Sequence, residues 1–127
     1  MTGVLLDTHV ALWLVADPDR LGERATVLLA AQPVWVSAVS LWELAIKQQL
    51  GKLSATTDLA STLRDSGVGE LAMNWQHTAG YADVELARHD PFDRLLVAQA
   101  RSEGLTFVTA DRAILAANLP FVADARR

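Results

Sequence analysis

An α/β fold, with a parallel sheet covered by helices on both faces, is what this sequence predicts on three observations. Strand-length apolar runs alternate with longer amphipathic segments along the chain, the pattern of strands joined by crossover helices. Helix stop and start signals separate them, notably Asp17-Pro18, Gly51, Asp90-Pro91 and Gly104. With 51% hydrophobic and 20% charged residues, the 127-residue chain has the means to bury a core and is not disordered.

Taken in order, Val4–Leu6 reads as a buried strand, and residues 9–16 as a helix that Asp17-Pro18 ends, since the residue before proline is driven out of the helical region. Residues 24–31 look helical, and Pro33-Val34-Trp35-Val36 is a second strand. Ser37 or Ser40 is placed to cap a helix running to Leu50, with Gly51 in the position that closes it. Residues 54–57 form a loop and 58–65 a short helix before Ser66-Gly67. Glu70-Leu71-Ala72-Met73 is a short third strand, followed by helix over 75–87. Asp90 as N-cap and Pro91 at the first helical position start a helix that ends near Glu103 at Gly104. Thr106-Phe107-Val108-Thr109 is a fourth strand, 112–117 a short helix, and Pro120-Phe121-Val122 a last strand. The expectation is a single domain spanning 1–127.

Four carboxylates stand against apolar runs. Asp7 follows Val4-Leu5-Leu6, Glu43 lies within Leu41-Trp42-Glu43-Leu44, Asp93 opens Asp93-Arg94-Leu95-Leu96, and Asp111 closes Val108-Thr109-Ala110-Asp111. An ionised carboxylate in such surroundings costs several kcal/mol unless a positive group offsets it. Clustered hard oxygen donors select Mg²⁺ or Mn²⁺. Asp7 and Asp111 follow predicted strands, and Glu43 and Asp93 fall in the first turns of predicted helices. In parallel α/β sheets these positions share the side beyond the strand carboxyl ends, where ligands bind. Four acids far apart in sequence are thus expected to meet in one cleft.

Each acid also has a plain structural role available. Asp7 is placed to cap a helix, Asp93 to favour the N-terminal end of a helix dipole, Asp111 to form a turn, and Glu43 to pair with Lys47 four residues on. His9 reads as packed beside a helix start, and His77 and His89 lack the spacing of a zinc site. Ser37 and Ser40 have no nucleophile elbow around them and read as caps. Trp13, Trp35, Trp42 and Trp75 read as core, with Trp42 also a candidate interface residue. Arg88, Arg94 and Arg112 stand beside Asp90, Asp93 and Asp111, where they either pair locally or contact phosphate.

Net charge is −4, from 11 basic and 15 acidic residues, which argues against a general nucleic-acid binder. With the four acids set aside the balance is even, so the negative charge fits a metal pocket. Zero cysteines exclude disulfides and thiolate metal sites. No apolar run approaches membrane-spanning length, and no cleavage signature opens the chain, so a cytoplasmic location is expected.

Together, Leu5-Leu6-Asp7-Thr8-His9, the segment Val36-Ser37-Ala38-Val39-Ser40-Leu41-Trp42-Glu43-Leu44, the run from His89-Asp90-Pro91-Phe92-Asp93 to Ala100, and Thr109-Ala110-Asp111 make a recognisable set. In order, spacing and length the chain resembles the PIN-domain ribonucleases, specifically the VapC-type toxins of bacterial type II toxin–antitoxin modules. The resemblance implies helices around a five-stranded parallel sheet, and Mg²⁺ or Mn²⁺ held by Asp7, Glu43, Asp93 and Asp111 as the catalytic acids, with Thr109 orienting an acid or a bound water. It also implies endonucleolytic RNA cleavage and a cognate antitoxin whose C-terminal tail wraps the toxin, within a homodimer and a toxin–antitoxin hetero-oligomer.

Two other classes compete with this expectation. An Mg²⁺-dependent α/β phosphatase would carry a second Asp two residues after the first, where this chain has His9. A receiver-like domain would carry a late Lys, and no Lys follows Lys52. A catalytically inactive PIN-like interaction domain would have no need of all four acids.

Overall fold

The computed structural model describes residues 1–52, 58–87 and 90–127. The loop expected over 54–57, together with Arg88 and His89, lies outside the described residues. Five strands, β1 (Val4–Leu6), β2 (Val34–Ser37), β3 (Gly69–Leu71), β4 (Thr106–Thr109) and β5 (Val122–Asp124), form one sheet in the order β3-β2-β1-β4-β5. All four pairings are parallel, with Leu5 opposite both Trp35 and Phe107. From β1 the chain steps outward to β2 and β3, then crosses back to β4 on the other side. The strand order therefore reverses between β1 and β4, and a crevice opens there at the carboxyl ends of the strands.

Helices α1 (Thr8–Ala16), α2 (Glu23–Ala31), α3 (Ala38–Gln49), α4 (Leu59–Asp65), α5 (Trp75–Gly80), α6 (Pro91–Glu103) and α7 (Arg112–Ala116) connect the strands. Side chains on successive strand residues point to opposite faces, and the core divides accordingly. Leu5 and Phe107 pack on one face with Val39, Leu96, Val97 and Ile114. Val4, Leu6, Val36 and Val108 pack on the other with Val10, Ala11 and Leu63, and with half-buried Leu28 and Leu29. No helix among the described residues is long and apolar enough to cross a membrane.

A buried polar chain fixes α3. The Ser37 hydroxyl caps it by accepting from the Val39 N–H at 3.0 Å, and donates to Gln99 Oε1 on α6 at 2.6 Å. Gln99 Nε2 stands 3.2 Å from His77 Nδ1, which also accepts from the Asn74 N–H at 3.1 Å. With Nδ1 accepting, the ring proton belongs on Nε2, which donates to Glu103 at 2.9 Å. Ser37, Gln99 and His77 are fully buried, so this chain satisfies groups that would otherwise oppose folding.

Several expectations change in detail. The helix expected over 75–87 ends at Gly80, continues as a 3-10 turn over Tyr81–Asp83 and stops at Val84, whose extended backbone and buried side chain take the chain into the core. The third strand is Gly69–Leu71 rather than 70–73, and the last is Val122–Asp124 rather than 120–122. Pro120 has no N–H to give a ladder, and pairing with β4 begins at the Phe121 carbonyl, which accepts from the Phe107 N–H at 2.8 Å. None of the four tryptophans is fully buried. Trp75 is 92% and Trp42 59% exposed, while Trp13 and Trp35 are half-buried, since the two core faces are already filled by Leu, Val, Ile and Phe.

Gly3 enters β1 at φ +121°, and a Cβ there would land on the Pro33 carbonyl, the same carbonyl that accepts from the Val4 N–H at 2.9 Å. Gly3→Ala is expected to destabilise the protein by about 2 kcal/mol or more. Urea unfolding measures this, and an unchanged midpoint would contradict the close β1–β2 approach.

Candidate active site

Asp7 follows β1 and caps α1, so its carboxylate sits at the mouth of the crevice between β1 and β4. Oδ1 accepts from the Thr8 N–H at 2.8 Å and Oδ2 from the Thr109 hydroxyl at 2.6 Å. The Thr109 oxygen in turn accepts from the Asp111 N–H at 3.0 Å. One buried hydroxyl thus ties Asp7 to the loop that carries Asp111. Asp111 caps α7, its Oδ1 accepting from the N–H groups of Ala113 and Ile114 at 2.9 and 3.1 Å. Burial pushes the Asp7 carboxyl above its ordinary value, against the opposing effects of the Thr109 and Thr8 hydrogen bonds.

Glu43 belongs to α3 but not to its first turn. It is the sixth residue of the helix, a correction that follows from Ser37 rather than Ser40 serving as the cap. One turn further along α3 its side chain reaches α1, where Oε1 accepts from the Thr8 hydroxyl at 2.7 Å. Ser40 Oγ completes that contact, 3.0 Å from the same hydroxyl. Oε2 pairs with Lys47 at 3.2 Å, so the pairing read from the i,i+4 spacing is present. Asp93 occupies the third position of α6, its N–H donating to the Asp90 cap at 3.0 Å. Its carboxyl is pushed up to about 7, first by burial and then by the charges of Asp7, Asp90, Asp111 and Glu43.

All four predicted acids therefore line one cleft of about 360 Å³, with Thr8, His9, Trp13, Arg20, Lys47, Asp90, Ala110 and Arg126 completing its walls. His9 is exposed at the cleft rather than packed. Of the arginines singled out from sequence, Arg94 and Arg112 lie elsewhere. Arg94 is buried with its guanidinium carbon 5.2 Å from the Tyr81 ring, donating to the Tyr81 carbonyl at 3.4 Å. Exposed Arg112 lies outside the cleft lining. Among the described residues the arginines lining the cleft are Arg20 and Arg126, neither adjacent in sequence to a predicted acid, so no local pattern marked them.

The donor set is all carboxylate oxygen, the chemistry that hard divalent cations take, and the Asp93 carboxyl, raised first by burial and then by the neighbouring acids, is one that such a cation would favour in its charged form. Among the described residues no three His, Asp or Glu side chains stand close enough to hold an ion by themselves. Glu43 is engaged by Lys47 and Thr8. The all-oxygen donor set is of the kind that hard divalent cations take.

A parallel α/β domain with carboxylates gathered at its switch point is suited to holding a cation beside a phosphate ester. The chain belongs to the PIN-domain family, whose model matches residues 4–118. It is 33% identical over 116 residues to Ribonuclease VapC22 of Mycobacterium tuberculosis, covering 88% of this chain and 89% of that protein. Its fold is shared with VapBC2 from Rickettsia felis (TM-score 0.69, 19% identity) and VapBC from Salmonella typhimurium (TM-score 0.69, 22% identity), each solved bound to DNA and each covering 98% of both chains. PIN-domain ribonucleases generally use divalent metals.

Two predictions follow from these contacts. Thr109→Val keeps the side-chain shape but leaves the Asp7 carboxylate and the Asp111 N–H without their buried partner. A loss of about 1–3 kcal/mol in unfolding free energy is expected, and a variant as stable as wild type would mean the hydroxyl is dispensable. Asp93 gives a pH signature. Between about pH 4 and 7 the folded protein retains a proton that the unfolded chain has released. Asp93 therefore withdraws stability as pH rises through that window, and no more above it. Asp93→Asn is expected to melt a few degrees higher than wild type at pH 8, the gain vanishing near pH 4. Thermal melts across this range test it, and a pH-independent difference would mean that Asp93 does not titrate differently in the folded state.

Proposed function

We propose that this protein is a divalent-metal-dependent endoribonuclease, the toxin of a toxin–antitoxin pair, and that Asp7, Glu43, Asp93 and Asp111 hold Mg²⁺, or Mn²⁺ in its place. The observation that carries the reading is that these four acids, far apart in sequence, line one cleft at the switch point of a PIN fold. The curated relative that is a third identical across most of both chains is a ribonuclease. When bound, the ion supplies Lewis acidity toward the scissile phosphate and acidifies a water beside it.

The protein's own groups set the geometry. Thr109 and the Thr8 N–H fix both Asp7 oxygens, so this carboxylate cannot rotate away. Lys47 and Thr8 hold Glu43 extended toward α1. The chain acts in the cytoplasm as a single domain, as a homodimer and in a hetero-oligomer with a cognate antitoxin. Solved relatives with this fold include a toxin–antitoxin complex from Klebsiella pneumoniae. Trp42, standing 5.3 Å from Phe92 edge to face, and Trp75 offer exposed aromatic surface for those interfaces. An antitoxin arginine suits the acidic cleft, its planar fork matching a carboxylate.

Purified protein is expected to cut single-stranded RNA with Mg²⁺ or Mn²⁺ and to lose that activity in EDTA. Asp7→Asn, Glu43→Gln and Asp93→Asn should each lower the rate by about 100-fold or more. Gel analysis of a labelled RNA with and without chelator decides it, and cleavage that survives chelation would overturn the metal-dependent reading.

A further inference from the structure

Carboxylates that suit a cation repel the phosphodiester that must join it. A strand of RNA stays in such a cleft only where positive groups offset that repulsion. Among the described residues, three cations line the walls. Lys47 is engaged by Glu43, but the two arginines are held differently. The guanidinium carbons of Arg20 and Arg126 each lie 5.6 Å from the centroid of the Trp13 ring. Arg126 Nη1 also donates at 2.9 Å to the carbonyl of Ala110, the residue before Asp111.

These three residues come from separate pieces of chain: α1, the 3-10 turn over Pro18–Arg20, and the segment after β5. Asp124 directs the last of these by accepting from the Arg126 N–H at 2.9 Å. Arg20 bonds Asp17 at 3.1 Å with both side chains more than half exposed. A surface pair of this kind gives up little when the guanidinium turns to another anion. Arg126 spends one donor on a neutral carbonyl, and a guanidinium has five.

We propose that Arg20 and Arg126, braced on Trp13, form a phosphodiester-binding wall that holds the RNA backbone against the carboxylates. The inference rests on the ribonuclease reading above and adds to it the residues that grip the substrate strand. Guanidinium groups bind phosphate oxygens through paired N–H donors. The cation–π contacts with Trp13 hold those donors in place before the strand arrives, which lowers the entropy lost on binding. The wall reads charge and spacing along the backbone, not base identity.

The test is steady-state cleavage of a single-stranded oligoribonucleotide with Mg²⁺, for wild type, Arg20→Gln, Arg126→Ala, Arg126→Lys and Arg112→Ala. Arg20→Gln and Arg126→Ala are expected to raise KM by about 5- to 20-fold while changing kcat less than about twofold. Arg126→Lys should fall between, keeping charge but losing the fork, and Arg112→Ala should match wild type. A second arm measures binding of the same oligonucleotide to Asp93→Asn protein over a salt series. There the slope of log affinity against log salt is expected to flatten by about 0.7 for each phosphate contact removed. Exposed Arg20 keeps the test informative if Arg126→Ala fails to fold. An active wild type whose arginine variants keep KM and salt slope, or lose only kcat, overturns the wall. An inert wild type instead sinks the ribonuclease reading, and the binding arm alone then judges the wall.

Discussion

A carboxylate buried at the end of the central strand is the constraint from which the rest of this structure follows. Asp7 is 5% exposed, and an ionised group so placed is tolerated only where hydrogen bonds replace its water. Its partners come from two directions: the Thr8 N–H at the start of α1, and the Thr109 hydroxyl at the end of β4. The second contact is possible because β1 and β4 are paired with Leu6 opposite Val108. A slip of one residue would turn Thr109 to the other face of the sheet. The need to satisfy one acid thus reinforces the register of the strands that frame the crevice.

The same residues serve as caps and as candidate ligands, so the structural and functional readings do not exclude each other. Asp7, Asp90 and Asp111 each cap a helix. Helix N-termini carry partial positive charge, which eases the presence of anions in a space where they also repel one another. The Asp93 carboxyl is pushed up to about 7, first by burial and then by the charges of the neighbouring acids. Stability and function pull against each other here. A protein optimised for apo stability would replace Asp93, whereas a cation site needs its charge.

Away from the cleft, polar burial does scaffold work. The run from Ser37 through Gln99 and His77 to Glu103 links α3, α6 and α5 in one satisfied chain. Because Ser37 also caps α3, the position of Glu43 along that helix is set partly by a glutamine 56 residues later in the sequence. His77, which has no metal-site spacing, finds its role here as a buried connector. The tryptophans took the opposite course. A sheet whose two faces are filled by aliphatic residues and Phe107 leaves Trp42 and Trp75 at the surface, available to partners.

What the sequence by itself determined is the set of elements and the four acids that the fold brings to one cleft. Apolar runs marked the five strands, the Asp90-Pro91 and Gly104 signals bounded α6 within a residue, and four carboxylates in apolar surroundings marked themselves by their desolvation cost. These features are legible because capping, proline geometry and burial act over a few residues. Where local signals were weak, as around Gly80 and Pro120, the element ends shifted, since core packing by Val84 and pairing through Phe121 decide them. The Glu43–Lys47 pair was legible from its i,i+4 spacing, and Thr109 entered as a residue orienting an acid only through the family resemblance, since it stands 102 residues from Asp7. No local signal marked Arg20 and Arg126, which meet on Trp13 from opposite ends of the chain. Only the tertiary structure brings such groups together, because strand order, not sequence separation, sets their distance. It also turned Arg94 inward onto Tyr81, since successive residues on a helix point about 100° apart and neighbours in sequence do not share a face.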